Sequence, residues 1–419
     1  MTKAKSIRGM HDLIGEDFLS QKEIIKLFES VAHNFNFKPI GTPIMEFNEV
    51  FSRTLGLSSD VVMKEMYTFI DRSNDKLTLR PEGTAGIARA IISNGLTQDL
   101  PLKYYYYGPM FRYERPQKGR LRQITQVGVE VYSKPGFEKD FEVIFLASNF
   151  LKDLNILDNL VLKINNLGNL EDRKNYKKIL KEYYLQNKSK LSKDSIIRLE
   201  KNPLRILDSK NLEDIEVNKY VPKISDVLSE QSKKNFIKLK NILEDFNILY
   251  VEDPYLVRGL DYYSNTIFEF TLKNDTKFAI LAGGNYDNLV AELGGPKLSG
   301  SGWAAGVERL KSLVKLKNKK PKIILIIPMQ SEYLTTAYKI REKFLHSNYA
   351  TEIHIDKNLK KSLKYANKIE ADYAIILGEE EVKKEVCTIK NLSTGIQNIV
   401  EKKFILEFFK NDWTLWDKA

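Results

Sequence analysis

The stretch from Tyr104 to Val131 constrains the fold more than any other. Tyr104 to Tyr107 open a run with strong β preference, and Thr125 to Val131 alternates in a way that reads as a returning strand. Between them lie Arg115, Lys118, Arg120 and Arg122, punctuated by Pro116 and Gly119, which is the composition of a loop. The pattern predicts a long hairpin with a cationic tip able to fold over a polyphosphate. A merely solvated tip would explain the loop but not the strands. Arg112 and Glu114 are spaced two apart, Gln126 and Glu130 four apart, so each pair falls on one face of its strand. Polar groups on a concave sheet face are costly to desolvate unless a polar ligand meets them there.

The chain is 419 residues long, too long for one core and suited to two or three domains. Its single cysteine, Cys387, excludes a disulfide framework and a cysteine-based zinc site, and suits a reducing cytoplasm. Four scattered histidines show no ligand spacing, so no built-in metal site is expected. No apolar core follows the basic N-terminus, and no run of about 18 apolar residues occurs, so neither a secretory signal nor a membrane span is expected. The net charge of +11 favours a polyanionic partner. From Lys311 onward, 21 Lys and Arg stand against 14 Asp and Glu, so most of that excess lies near the C-terminus.

Helical spacing of Leu19, Ile24, Leu27, Phe28 and Val31 predicts a helix over about Phe18 to Phe35, followed by an extended strand from Phe37 to Glu46. Strands are expected at Met66–Asp71 and Leu77–Arg80, the second running into a helix at Pro81–Ala85. There Glu82 and Thr84 would cap the helix or meet a ligand. A lysine- and leucine-rich stretch at about 168–245 reads as a helical insertion. Leu256 to Tyr263 places Arg258 beside a turn glycine and before Tyr262 and Tyr263, a semi-buried cation with Asp261 as a candidate partner. Ala282–Asp287 is expected to follow a strand, and Gly300–Leu310 to run from strand into helix. Past a basic linker at Lys315–Lys322, strands and helices alternate from Ile323 to Gly378, predicting a small α/β domain with a mixed or parallel sheet.

Several of these stretches resemble one family in order. FRYERPQKGR with its returning GVE resembles motif 2 of the class II aminoacyl-tRNA synthetases in its histidyl version. LRPEGT and RGLDYY resemble that family's amino-acid-binding stretches, and Gly300–Leu310 its motif 3. The helix and proline-bearing strand near the N-terminus resemble motif 1. The resemblance implies an α+β fold: an antiparallel class II sheet flanked by helices over 1–320, interrupted by the insertion, then an α/β anticodon-binding domain over 321–419. It implies a histidine–tRNA ligase that uses ATP, with Mg2+ arriving on the nucleotide, and acts as a cytoplasmic homodimer on L-histidine and tRNA(His).

The resemblance also implies roles. Arg112 and Arg258 would flank the α-phosphate, Arg120 and Arg309 would hold ATP, and Glu114 would read adenine. Glu82 and Thr84 would meet the amino group of histidine, and Gln126, Glu130, Arg258, Tyr262 and Tyr263 the rest of it. Arg115 and Gln117 would meet the tRNA acceptor end, where the bacterial form reads an extra 5′ guanosine. Two positions depart from the family pattern: Asn285 replaces an arginine, and Ile124 an aromatic that stacks on adenine. The alternative is an inactive paralogue serving as a histidine-sensing regulatory subunit. Such a chain should lack the RGLDYY arginine and the C-terminal domain.

Overall fold

Alternation in the returning strand decides the layering. In the computed structural model, Val127, Val129 and Val131 are buried against one set of helices, while Gln126, Glu130 and Tyr132 face the other side of the sheet. The structure describes residues 3–56, 59, 61–115, 120–315 and 321–410, the side chains of 276 and 277 excepted. The chain divides into two compact units, Met1–Leu316 and Lys317–Ala419.

The first unit opens with helix α1 (Glu16–Asn34), strands β1 (Lys38–Pro39) and β2 (Met45–Phe47), and helix α2 (Asn48–Thr54). The hairpin β3 (Tyr67–Ile70) and β4 (Lys76–Leu79) leads to helix α3 (Thr84–Ser93). The long hairpin β5 (Leu102–Phe111) and β6 (Gln123–Ser133) is followed by α4 (Glu138–Asp153) and β7 (Leu160–Asn166). Helices α5 (Leu170–Gln186), α6 (Lys193–Lys201), α7 (Leu212–Asn218) and α8 (Glu230–Asp245) form the insertion. The unit closes with β8 (Tyr250–Glu252), β9 (Ser264–Leu272), β10 (Asp275–Tyr286), α9 (Leu289–Glu292), β11 (Ser299–Gly306) and α10 (Val307–Lys311).

Eight strands form one sheet in the order β1-β5-β6-β11-β10-β9-β7-β8. Its inner pairings are antiparallel, and its two outermost, β1 with β5 and β7 with β8, are parallel. Strands β2, β4 and β3 form a separate small sheet. Behind the large sheet, Trp303 stacks on Phe150 at 6.0 Å and donates its indole N–H to the Val143 carbonyl at 2.9 Å. This fixes β11 against α4 and makes the back of the sheet a rigid aromatic floor.

Three expectations change. The strand from Phe37 to Glu46 is broken into β1 in the large sheet and β2 in the small one. Pro39, Gly41 and Pro43 interrupt the ladder between them, and β1 takes the sheet edge, where a missing N–H is tolerated. Leu19 lies on the solvent side of α1, whose buried stripe is Ile24, Phe28 and Val31. The run Ala282–Tyr286 does not follow a strand but is the end of β10.

The second unit is built from β12 (Lys322–Pro328), α11 (Leu334–Lys343), β13 (Tyr349–Ile353), α12 (Leu359–Lys368) and β14 (Tyr373–Leu377). Then come α13 (Glu379–Lys383), the hairpin β15 (Val386–Asn391) and β16 (Gln397–Glu401), and α14 (Ile405–Lys410). The sheet order is β13-β12-β14-β15-β16, parallel over its first three strands and antiparallel over the hairpin, hence mixed. Strand β12 is buried on both faces, as its unbroken apolar run demands. Among the described residues of the chain, no helix is long and apolar enough to cross a membrane.

Candidate active site

The polar face of β6 forms the floor of a cavity of about 250 Å3. Its walls come from the turn before α3, the end of β5, the loop before β9, and α10. Glu82, Thr84, Arg112, Glu114, Arg120, Gln126, Arg258, Tyr262, Tyr263 and Arg309 all line it. Glu130 lies just beneath. Arg115 is exposed outside the cavity, and Gln117 lies outside the described residues.

Glu82 caps α3: its carboxylate accepts from the Thr84 amide at 2.8 Å and the Ala85 amide at 2.9 Å. The cap and the wall are one residue, so capping does not exclude ligand contact. Burial raises the carboxyl of Glu82, and those two amides oppose the rise. Thr84 Oγ1 donates to Glu130 at 2.7 Å, and Tyr286 donates its hydroxyl to the other Glu130 oxygen. Glu130 is fully buried, and desolvation pushes its pKa up to about 8 against these bonds. The carboxyl sits so close to β11 that a Cβ on Gly302 would meet its Oε2 at 2.1 Å. Tyr106 donates to Gln126 Oε1 at 3.2 Å, its ring wedged where a Cβ on Gly83 or Gly128 would collide.

The rim is cationic. Strand β5 ends at Phe111, so Arg112 and Glu114 stand just past it rather than on it. Arg112 Nε donates to the Pro81 carbonyl at 2.8 Å, which ties the rim to the α3 turn. Glu114 lies between Arg112 Nη1 at 4.0 Å and Arg120 Nε at 3.5 Å, and its Oε2 makes no hydrogen bond. On the opposite wall, Arg258 Nη1 reaches Glu269 at 3.4 Å while its Nε is buried without an acceptor. The partner of Arg258 is therefore Glu269 and not Asp261. Arg309 donates to the Ala279 carbonyl at 2.7 Å. Burial lowers its pKa, Glu114 opposing and Arg112 and Arg120 adding to the effect.

Four guanidinium groups, those of Arg112, Arg120, Arg258 and Arg309, thus line one cavity, an arrangement suited to a charged ligand with several anionic oxygens. Asn285 is elsewhere: it is buried on the α4 side, donating to Asp140 at 3.2 Å and accepting from Ser264 at 3.1 Å. Ile124 does line the cavity. Sequence reasoning passed over Tyr106, Tyr286, Glu269 and Glu308. Glu308 accepts from the Thr125 amide at 2.8 Å and leaves Oε2 open. For Tyr106 a signal existed, because β alternation sets it opposite Gly128, between Gln126 and Glu130.

The large, mainly antiparallel sheet flanked by helices is that of a class II aminoacyl-tRNA synthetase catalytic unit. A family model described as histidyl-tRNA synthetase matches residues 9–310, and one described as anticodon binding domain matches 324–412. The histidine–tRNA ligase of Gluconobacter oxydans is 43% identical over 394 residues, covering 94% of this chain and 95% of that protein. The histidine–tRNA ligase of Orientia tsutsugamushi (strain Ikeda) is 39% identical over 418 residues, covering 98% and 99%. The structure of apo histidyl-tRNA synthetase from S. aureus is similar with a TM-score of 0.80 and 30% identity, over 98% of this chain and 100% of that one. The chain belongs to the histidyl-tRNA synthetase family, as its motifs led us to expect.

Proposed function

We propose that this chain is a histidine–tRNA ligase: it joins histidine to ATP as histidyl-adenylate, releasing pyrophosphate, and then passes histidine to the 3′ end of tRNA(His). The observation that carries the reading is the meeting of a buried Glu130–Thr84–Tyr286 floor with guanidinium groups on opposite walls of one cavity. The histidine carboxylate attacks the α-phosphorus, a new O–P bond forms, and the bond to pyrophosphate breaks. Two anions must be held together while charge builds on the phosphoryl oxygens. Arg112 and Arg258 take that charge from either side, and Arg120 and Arg309 hold the outer phosphates. Mg2+ carried by ATP supplies further positive charge to those phosphates. Glu114, held between Arg112 and Arg120, accepts from the adenine amine, and Glu82 and Thr84 receive the ammonium group. Gln126, Glu130, Tyr262 and Tyr263 read the imidazole, whose two nitrogens reward a site that leaves smaller rivals unpaired. No protein nucleophile is required; positioning and electrostatics suffice.

The catalytic domain spans 1–320, with the insertion at about 168–245, and the basic 321–419 domain meets the anticodon arm. Arg115, exposed beside the cationic loop, is set to meet the acceptor end. The cytoplasm is the compartment that suits a lone buried thiol, Cys387. The assembly is a homodimer, supported by the exposed apolar side chains Met45, Phe47 and Phe69, which share one face of the small sheet. Phe47→Glu is expected to weaken dimerisation by about thirtyfold or more. Sedimentation across a concentration series checks this, and an unchanged dimer would move the interface elsewhere.

The deciding experiment is pyrophosphate–ATP exchange with each of the twenty amino acids. Exchange with histidine alone is expected. Histidine binding without exchange would favour the regulatory-paralogue reading instead.

A further inference from the structure

The loop that carries Arg258, Tyr262 and Tyr263 is held from outside the sheet. Arg173 on α5 donates through Nη1 to the Tyr263 carbonyl and through Nη2 to the Asp261 carbonyl, the latter at 3.0 Å. Asn202, just after α6, donates to Asp261 Oδ1 at 3.0 Å. Arg205 donates to the Gly259 carbonyl. All three donors belong to the insertion, and together they engage residues 259, 261 and 263. On the loop's other side, the Leu55 carbonyl accepts from the Asp261 amide at 3.3 Å. The backbone between Arg258 and Tyr263 has no regular secondary structure, so its shape depends on such contacts.

A guanidinium suits this work. Its planar fork bonds two carbonyls two residues apart at once, whereas a lysine ammonium on a flexible stem fixes neither direction. Charge-assisted bonds are also roughly twice as strong as neutral ones, and Arg173 makes two of them where Arg205 makes one.

We propose that Arg173, helped by Asn202 and Arg205, is a positioning residue for the amino-acid-recognition loop, so that the insertion sets histidine affinity. The inference rests on the roles given above to Arg258, Tyr262 and Tyr263. By linkage, any ligand that shifts the insertion changes histidine affinity, and histidine changes that ligand's affinity by the same factor.

The test compares Arg173→Lys, Arg173→Ala and Asn202→Ala in the full chain, with exchange measured against histidine and ATP separately. KM for histidine is expected to rise about tenfold in R173K, about a hundredfold in R173A and about threefold in N202A. KM for ATP should rise less, about threefold at most, because Arg112, Arg120 and Arg309 lie on other elements and only Arg258 among the phosphate contacts rides on the loop. Amide hydrogen exchange over 256–264 should quicken while the large sheet keeps its protection. If R173A fails to fold, R173K and N202A decide. Equal rises in both KM values, or a lowered Tm with histidine KM unchanged, overturns the proposal. An unmodified chain that shows no exchange with histidine overturns the underlying functional reading instead.

Discussion

Arg258→Ala will lower the rate of histidine-dependent pyrophosphate exchange by about two to three orders of magnitude while the chain stays folded. The rival account is a structural ion pair, since Arg258 Nη1 lies 3.4 Å from Glu269. That bond is long for a charge-assisted contact, and Nε next to it has no acceptor although it is buried. A guanidinium held by so long a contact can turn to an anionic ligand without losing a strong bond. Breaking a buried pair ordinarily costs about 3–5 kcal/mol because a bare charge is left behind. Here burial already raises the pKa of Glu269 and Arg258 opposes the rise, so loss of the arginine lets Glu269 take a proton and avoid that penalty. Glu269→Gln separates the two accounts. It keeps the guanidinium, so exchange should fall by less than about tenfold, whereas a purely structural pair would give equal losses in both variants.

How far the sequence carried the reading depends on whether the needed partner lies nearby in the chain. The β6 face was legible because alternation is local: Val127, Val129 and Val131 mark the buried side and so assign Gln126 and Glu130 to the other. Glu269 was not legible as the partner of Arg258, because an acidic residue three positions away, Asp261, looked better on spacing. Only the course of the chain from the 258–263 loop into β9 brings Glu269 back to the guanidinium. Asn285 shows the same limit. It stands where the family pattern carries an arginine, but its side chain donates to Asp140 of α4. The strand expected over Phe37–Glu46 failed for a different reason. Its β preference was read as one ladder, while Pro39, Gly41 and Pro43 let the chain leave one sheet and join another.

Glu130→Gln is expected to cut kcat/KM for histidine by about a hundredfold or more and, in the same molecule, to stabilise the free enzyme above acid pH. The two effects share one cause. Glu130 moves from an ordinary value of 4.5 to about 8 because the folded chain takes it wholly out of water. Between those values the unfolded chain has released the proton and the folded chain retains it, so folding takes up a proton. The contribution to stability is therefore complete below about pH 4.5, declines by about 1.4 kcal/mol per unit as pH rises, and is gone above about pH 8. Glutamine has no proton to lose. The stability gap between variant and parent should widen across that window and level off beyond it, as read from urea midpoints at about pH 5, 6.5 and 8.5. Neighbouring shifts at Glu82 and Asp140 are present in both proteins and largely cancel in the difference. A gap that stayed flat with pH would mean that Glu130 is ionised in the free enzyme. Histidine affinity untouched by the change would leave its burial without a ligand to justify it. Lost affinity together with gained stability is what a site strained for its substrate must show, because the carboxyl kept for the imidazole is one the free chain must hold wholly out of water.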